Sequence, residues 1–154
     1  MIKLIDLLSE NKILVPRRSK EERQKNYNIA LKKQIEQYIK DGSKGNLDLS
    51  TLKDGSILPL NLKVGGGLDL ESLTSIPEGF NPTVGGDLDL GSVTSIPEGF
   101  NPIVGGGLYL YSITSIPKGF NPTVGNSLYL RSVTSHTKEE MEKLLTNVEG
   151  EIII

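Results

Sequence analysis

Three aspartates, Asp48, Asp69 and Asp89, each stand between two leucines, and Tyr109 and Tyr129 hold the same place in later copies of that motif. If the copies stack in register, the carboxylates form a column with neighbours about 5 Å apart. Such a column can take a cation, although solvated acids on an outward face satisfy the same pattern without one. Catalysis has less to draw on. His136 is the only histidine, so there is no His-pair metal site, and any triad would rest on it alone. The chain has no cysteine, which removes thiol nucleophiles, Cys-type zinc sites and disulfides. The V-G-G strings lack both the G-x-x-x-x-G-K-[ST] phosphate loop and a G-x-G-x-x-G that opens a helix, and they read as corners. The expectation is a non-enzymatic chain that uses no cofactor and no metal.

What must position these residues is a repeat. Aligned on V-G-G, residues 64–83, 84–103 and 104–123 are three copies of 20 residues, with a partial fourth at 124–135 and a degenerate one at 47–63. Periods of this length mark a solenoid, in which a unit buries its apolar residues only by stacking on its neighbours. In L-x-L the leucines face one way and the variable residues the other. Six inward columns follow: Leu68 and Leu70, Leu73, Ile76, Phe80, Val84, and their equivalents at intervals of 20. V-G-G predicts a turn made with positive φ. S-[LVI]-T-S-I predicts a second strand, ended by the proline that cannot donate to a ladder. Its outward serines and threonines suit any exposed strand.

The ends differ from the middle. Ser19-Lys20-Glu21-Glu22 is a capping box, and the helix it opens runs to Lys40 before Asp41-Gly42. Tyr27, Leu31, Ile35 and Tyr38 make one face of it, suited to covering the first coil. A first short helix, Ile2–Leu8, precedes it. Thr137-Lys138-Glu139-Glu140 is a second capping box, opening a lid with Met141, Leu144, Leu145 and Val148 on one stripe. The tail Glu151–Ile154 is read as a short strand or contact point. The resulting organisation is a basic helical head at 1–45, a repeat solenoid at 46–135, and a capping helix with apolar tail at 136–154. The fold class is mainly β with helical caps: a short leucine-rich-repeat-like parallel β-solenoid of four to five coils of about 20 residues.

Charge is divided unevenly. Residues 1–45 carry eleven Lys and Arg against six Asp and Glu, a balance of +5; residues 46–154 carry six against thirteen, −7; together they give −2. Arg17, Arg18, Arg23, Lys25, Lys32 and Lys33 form a candidate nucleic-acid patch, set against the plainer reading of solvated helix faces. No apolar run approaches the roughly 20 residues that cross a bilayer, so no membrane partner is expected.

The outward positions of L-x-L-x read Asp69/Glu71, Asp89/Gly91, Tyr109/Tyr111 and Tyr129/Arg131. One end of this face is acidic and the other aromatic. Tyr and Arg together are the composition of binding hot spots, while neighbouring tyrosines also stabilise a ladder simply by stacking. Stacking fixes the scaffold positions and leaves the variable ones free, so the variable face is where a protein partner is expected.

The string L-P-L-N-L-K-V-G-G at 58–66, preceded by L-D-L at 47–49, resembles a 20-residue leucine-rich-repeat type. It is similar to repeats of secreted bacterial effectors, and closer to repeat proteins of tailed phages with a helical head before the repeats. The resemblance implies binding rather than catalysis, and carries over no catalytic residue. It also implies a phage accessory, virion or host-directed protein, located in the host cytoplasm or the phage particle. Later copies are two residues shorter between L-x-L and I-P and two longer between Phe and Val-Gly, which favours a compact coil over a horseshoe.

Overall fold

The computed structural model describes residues 18–154; the expected helix at Ile2–Leu8, and Arg17, lie outside them. Helix α1 (Lys20–Lys40) starts at the Ser19 box: Glu22 N–H donates to Ser19 Oγ at 3.1 Å, and Ser19 N–H donates to the Glu22 carboxylate at 2.9 Å. Leu31 and Ile35 are buried in the core, with Tyr38 packed beside them. Gln34 Nε2 donates to the Asp48 carbonyl at 2.9 Å. The Tyr38 hydroxyl donates to Gly45 O at 2.8 Å and accepts from Gly65 N–H at 3.1 Å. These bonds occupy edge groups that the first coil would otherwise expose, so α1 closes that end of the solenoid.

The repeats build two parallel sheets of two-residue strands. One sheet has six strands in the order β1 (Leu47–Asp48), β3 (Leu68–Asp69), β5 (Leu88–Asp89), β7 (Leu108–Tyr109), β9 (Leu128–Tyr129) and β10 (Ile152–Ile153). The other holds β2 (Lys63–Val64), β4 (Thr83–Val84), β6 (Ile103–Val104) and β8 (Thr123–Val124). The repeat therefore forms a parallel β-solenoid of stacked coils with a helix at each end. The columns run inward as the periodicity demands: Leu70, Leu90, Leu110 and Leu130 are wholly buried, as are Leu73, Val93 and Ile113. The Phe100 and Phe120 rings lie nearly parallel, 6.5 Å apart. Pro82, Pro102 and Pro122 are buried as well, a seventh column that the sequence reading treats only as bends.

Three local expectations are corrected. S-x-T-S-I is not a strand. The chain turns immediately after L-x-L, because Leu73 N–H is spent on Leu70 O at 2.9 Å and Val93 N–H on Leu90 O at 3.1 Å, rather than on the next coil. Ser112 Oγ and Ser132 Oγ donate to Gly91 O and Tyr111 O at 2.6 Å, so these serines serve coil stacking and only the threonines and following serines face out. The second sheet lies instead on the residue pair ending in the V of V-G-G. The glycines after that valine are not in the left-handed region either. A Cβ at Gly85, Gly105 or Gly125 would collide with the carbonyl of the preceding coil's glycine. Close approach, not dihedral freedom, demands glycine there. Within the repeats the positive φ values fall on Gly79, Gly99 and Gly119, in the I-P-x-G turn, at 77°, 79° and 82°.

At the far end, helix α2 (Lys138–Leu144) starts on the Thr137 box. Met141 and Leu145 are buried, but Leu144 is 50 % exposed and so leaves the expected stripe. Beyond α2 the chain returns to the solenoid. Val148 bridges Val124, and Ile152 and Ile153 pair with Leu128 and Tyr129. V-E-G-E-I-I-I at 148–154 thus repeats V-G-N-S-L-Y-L at 124–130 after 24 residues, with α2 replacing the usual corner. The tail is a sixth rung against β9.

Candidate binding face

Register in the six-stranded sheet aligns Asp48, Asp69, Asp89, Tyr109, Tyr129 and Ile153 as successive neighbours. The column expected from L-x-L exists, and its two halves are built differently.

In the acidic half each carboxylate is turned onto its own chain. Asp48 Oδ1 accepts from Ser50 N–H at 3.0 Å and from its hydroxyl at 2.7 Å; Asp69 Oδ1 accepts from Glu71 N–H at 3.0 Å; Asp89 Oδ1 accepts from Gly91 N–H at 2.8 Å. These turns end the strands. Among the described residues no three His, Cys, Asp or Glu converge as metal ligands. The carboxylates of the column are each engaged by nearby backbone N–H groups instead. Their charges still interact. The Ser50 hydrogen bonds hold Asp48 below the ordinary carboxylate value. Burial pushes Asp89 above it, the Gly91 bond opposes the rise, and the Asp69 charge adds to it.

A groove of about 400 Å³ follows this half, lined by Asn46, Asp48, Asp69, Asp87, Asp89 and Tyr109. Its lining carries no basic side chain. Asp87, absent from the residues singled out above, accepts Gly107 N–H at 2.7 Å, just as Asn46 Oδ1 accepts Gly67 N–H at 2.7 Å. The signal was in the sequence: the position before each L-x-L reads Asn46, Gly67, Asp87, Gly107, Ser127, polar and glycine in turn. Each polar member binds the backbone of the following coil, Ser127 Oγ taking Glu151 N–H at 3.3 Å.

Gly107 also makes room for Tyr109, whose hydroxyl lies 3.1 Å from where a Cβ would stand. Tyr109 stacks on Tyr129 with centroids 4.7 Å apart, and Tyr111 meets both, at 5.7 Å from Tyr109 and edge-on at 6.0 Å from Tyr129. The Arg131 guanidinium lies 5.1 Å above the Tyr111 ring. Gly91 leaves space for this ring: a Cβ there would come within 3.3 Å of Tyr111. Burial raises Tyr109 and Tyr111 above the ordinary phenol value; nearby Asp87 reinforces the first shift and Arg131 opposes the second. All three rings remain partly exposed, and Glu71 and Arg131 are exposed.

The basic positions fall elsewhere. Arg18, Arg23, Lys25, Lys32 and Lys33 are exposed around α1. Within α1, helical spacing sets Lys25 and Lys32 on one stripe, with Glu22 before them, Glu36 after them and Arg23 away from it; Arg18 precedes the Ser19 cap. No described helix is long and apolar enough to cross a membrane. Comparison with protein-family models, with curated proteins and with solved structures returned no match.

Proposed function

We propose that the chain is a non-enzymatic protein-interaction module, and that its partner docks on the outward face of the six-stranded sheet through Asp69, Glu71, Asp89, Tyr109, Tyr111, Tyr129 and Arg131. One observation carries this reading: three partly exposed tyrosines and an arginine form a contiguous cluster beside an acidic groove, on rungs held rigid from behind. Rigid aromatic anchors lose little conformational freedom on binding, which is why such clusters favour interfaces. Leucine-rich-repeat kinship, and a role as phage accessory, virion component or host-directed protein in the host cytoplasm or phage particle, rest on the sequence resemblance alone.

A second reading has the exposed cations on and just before α1 binding nucleic acid, favoured by Lys25 and Lys32 on one stripe and weakened by Glu22 and Glu36 on that same stripe. A nuclease-treated pull-down from host lysate separates the two, comparing wild type with a folded Tyr109→Ser, Tyr111→Ser, Tyr129→Ser variant. A protein held by wild type and lost from the variant supports the strand face. Capture retained by both, or abolished by nuclease alone, contradicts it and favours α1.

A further inference from the structure

Away from that face, the coil that ends at Asn121 meets α2 across a cleft of about 630 Å³, a size typical of ligand sites. Ile116, Phe120 and Leu144 give it apolar walls, and Lys118, His136 and Asn121 its polar groups. Three features set this corner apart from its earlier copies. Lys118 stands where Glu78 and Glu98 stand, and His136 where Ile76, Ile96 and Ile116 stand. Both of these changes put a basic residue where an acidic or apolar one stood, and both line this cleft. Apolar surface is also less covered here: Ile76 and Ile96 are buried, whereas Ile116 is only partly so and Leu144 is half exposed.

The third feature is a missing donor. Asn81 Oδ1 accepts Asn101 N–H at 2.6 Å, and Asn101 Oδ1 accepts Asn121 N–H at 2.6 Å. Asn121 Nδ2 donates to Thr146 Oγ1 at 3.2 Å, but its Oδ1 is buried with no partner. An unpaired buried acceptor is destabilising until a donor reaches it. Where the next coil would bring an N–H, α2 brings none.

We infer that this cleft binds the free carboxy terminus of a peptide whose last residue is apolar. The terminal carboxylate meets Lys118 Nζ and the His136 ring. Ser135 Oγ already engages His136 Nδ1 at 2.8 Å, which leaves Nε2 available. The terminal side chain covers Ile116, Phe120 and Leu144. The terminal N–H replaces the absent coil on Asn121 Oδ1 as the surrounding side chains part. Glu140, the acidic group whose titration feels His136, does not satisfy the site's charge: its carboxylate is held by Thr137 N–H at 2.8 Å and by the Thr137 hydroxyl.

The test is titration calorimetry with an N-acetylated pentapeptide ending in isoleucine, as free acid and as amide, and with octanoate. The free acid is expected to bind the full chain, and the amide roughly tenfold or more weakly. Lys118→Glu and His136→Ile restore the residues of earlier copies and so leave folding intact, which circular dichroism checks; each is expected to weaken the free acid by a similar factor. Octanoate is expected to bind far more weakly, because it has no N–H for Asn121. Equal binding of acid and amide, binding unchanged in both variants, or no binding of the acid overturns the inference. Octanoate binding as tightly as the peptide also overturns it, by showing that no amide is read.

Discussion

The two long faces of each coil use their polar groups in opposite ways. At the G-F-N-P corner, asparagine side chains bridge coil to coil: Asn81 Nδ2 donates to Gly99 O at 3.0 Å and Asn101 Nδ2 to Gly119 O at 3.2 Å, while their carbonyl oxygens take the next asparagine's N–H. Beneath them the phenylalanine and proline columns are buried. On the L-x-L face the outward side chains make no such bridge: backbone pairing holds the rungs, as in Leu70 N–H to Asp89 O at 3.0 Å and Leu90 N–H to Tyr109 O at 3.0 Å, and side-chain hydrogen bonds between coils come only from flanking positions such as Asn46 and Asp87. Side chains there are free to change, and they change from aspartate to tyrosine. Each coil thus separates the residues that stack it from those that vary on its surface.

The largest expected effect tests whether the corner really is the structural half. Phe100→Ala removes a buried ring from the aromatic column and should lower unfolding free energy by about 3–5 kcal/mol in urea titration. The Tyr109→Ser, Tyr111→Ser, Tyr129→Ser variant, on the other face, should lose far less per ring, since those rings are partly exposed and contribute mainly stacking, about 0.5–1.5 kcal/mol per pair. Equal losses per ring would erase the distinction.

Next in size is Asn101→Ala. It deletes two inter-coil hydrogen bonds, and at about 1 kcal/mol each should cost about 2 kcal/mol, measured by the same titration. Thr137→Ala then tests the lid, where loss of the Thr137 cap of α2 should cost about 1 kcal/mol. Amide hydrogen exchange should quicken at Leu128 and Leu130, whose N–H groups bond the tail's Glu151 and Ile153 carbonyls.

The smallest effect has the opposite sign. Asp89 is raised above its ordinary value of 3.8, so its ionised form is less favoured in the fold than in the unfolded chain. That cost is absent below about pH 3.8, grows as pH rises through the folded value, and is complete at neutral pH. Asp89→Asn keeps an acceptor for Gly91 N–H and removes the charge. It should raise the melting temperature slightly at pH 7, with the gap over wild type closing by pH 3.5. Asp48 and Glu140, both held below their ordinary values, lose their stabilisation on acidification in both proteins and cancel from the comparison.

Much of this arrangement was legible in the sequence because stacking forces identical residues into register. The 20-residue period alone places Leu68, Leu88, Leu108 and Leu128 in one column, and the parallel pairing follows it. Both capping boxes were readable because their hydrogen bonds span only three residues. The second strand was misplaced because alternation in S-x-T-S-I suits a strand, whereas Leu73 N–H closes a local turn on Leu70 O and the Ser112 and Ser132 hydroxyls reach the preceding coil. The tail was read as a short strand or contact point but not as a further rung, since α2 lengthens its spacing to 24 residues. The groove through Asp87 was signalled by the polar and glycine alternation before each L-x-L, whereas the unpartnered Asn121 depends on what α2 brings beside it, which periodicity does not encode. The face residues were named correctly as an outward set; their compact tyrosine cluster rests on Gly91 and Gly107, which the pattern presents only as one outward position and one corner.

The central claim is that binding lives on the changing face and stability on the constant one. The most direct measurement is one capture assay across two sets of exposed substitutions in folded chains. One set is Tyr109→Ser, Tyr111→Ser, Tyr129→Ser; the other is Thr74→Ala, Thr94→Ala, Thr114→Ala on the exposed side of the S-x-T corner. Loss of the captured protein in the tyrosine set, with full retention in the threonine set, is the predicted result. Retention in the tyrosine set with loss in the threonine set would contradict it.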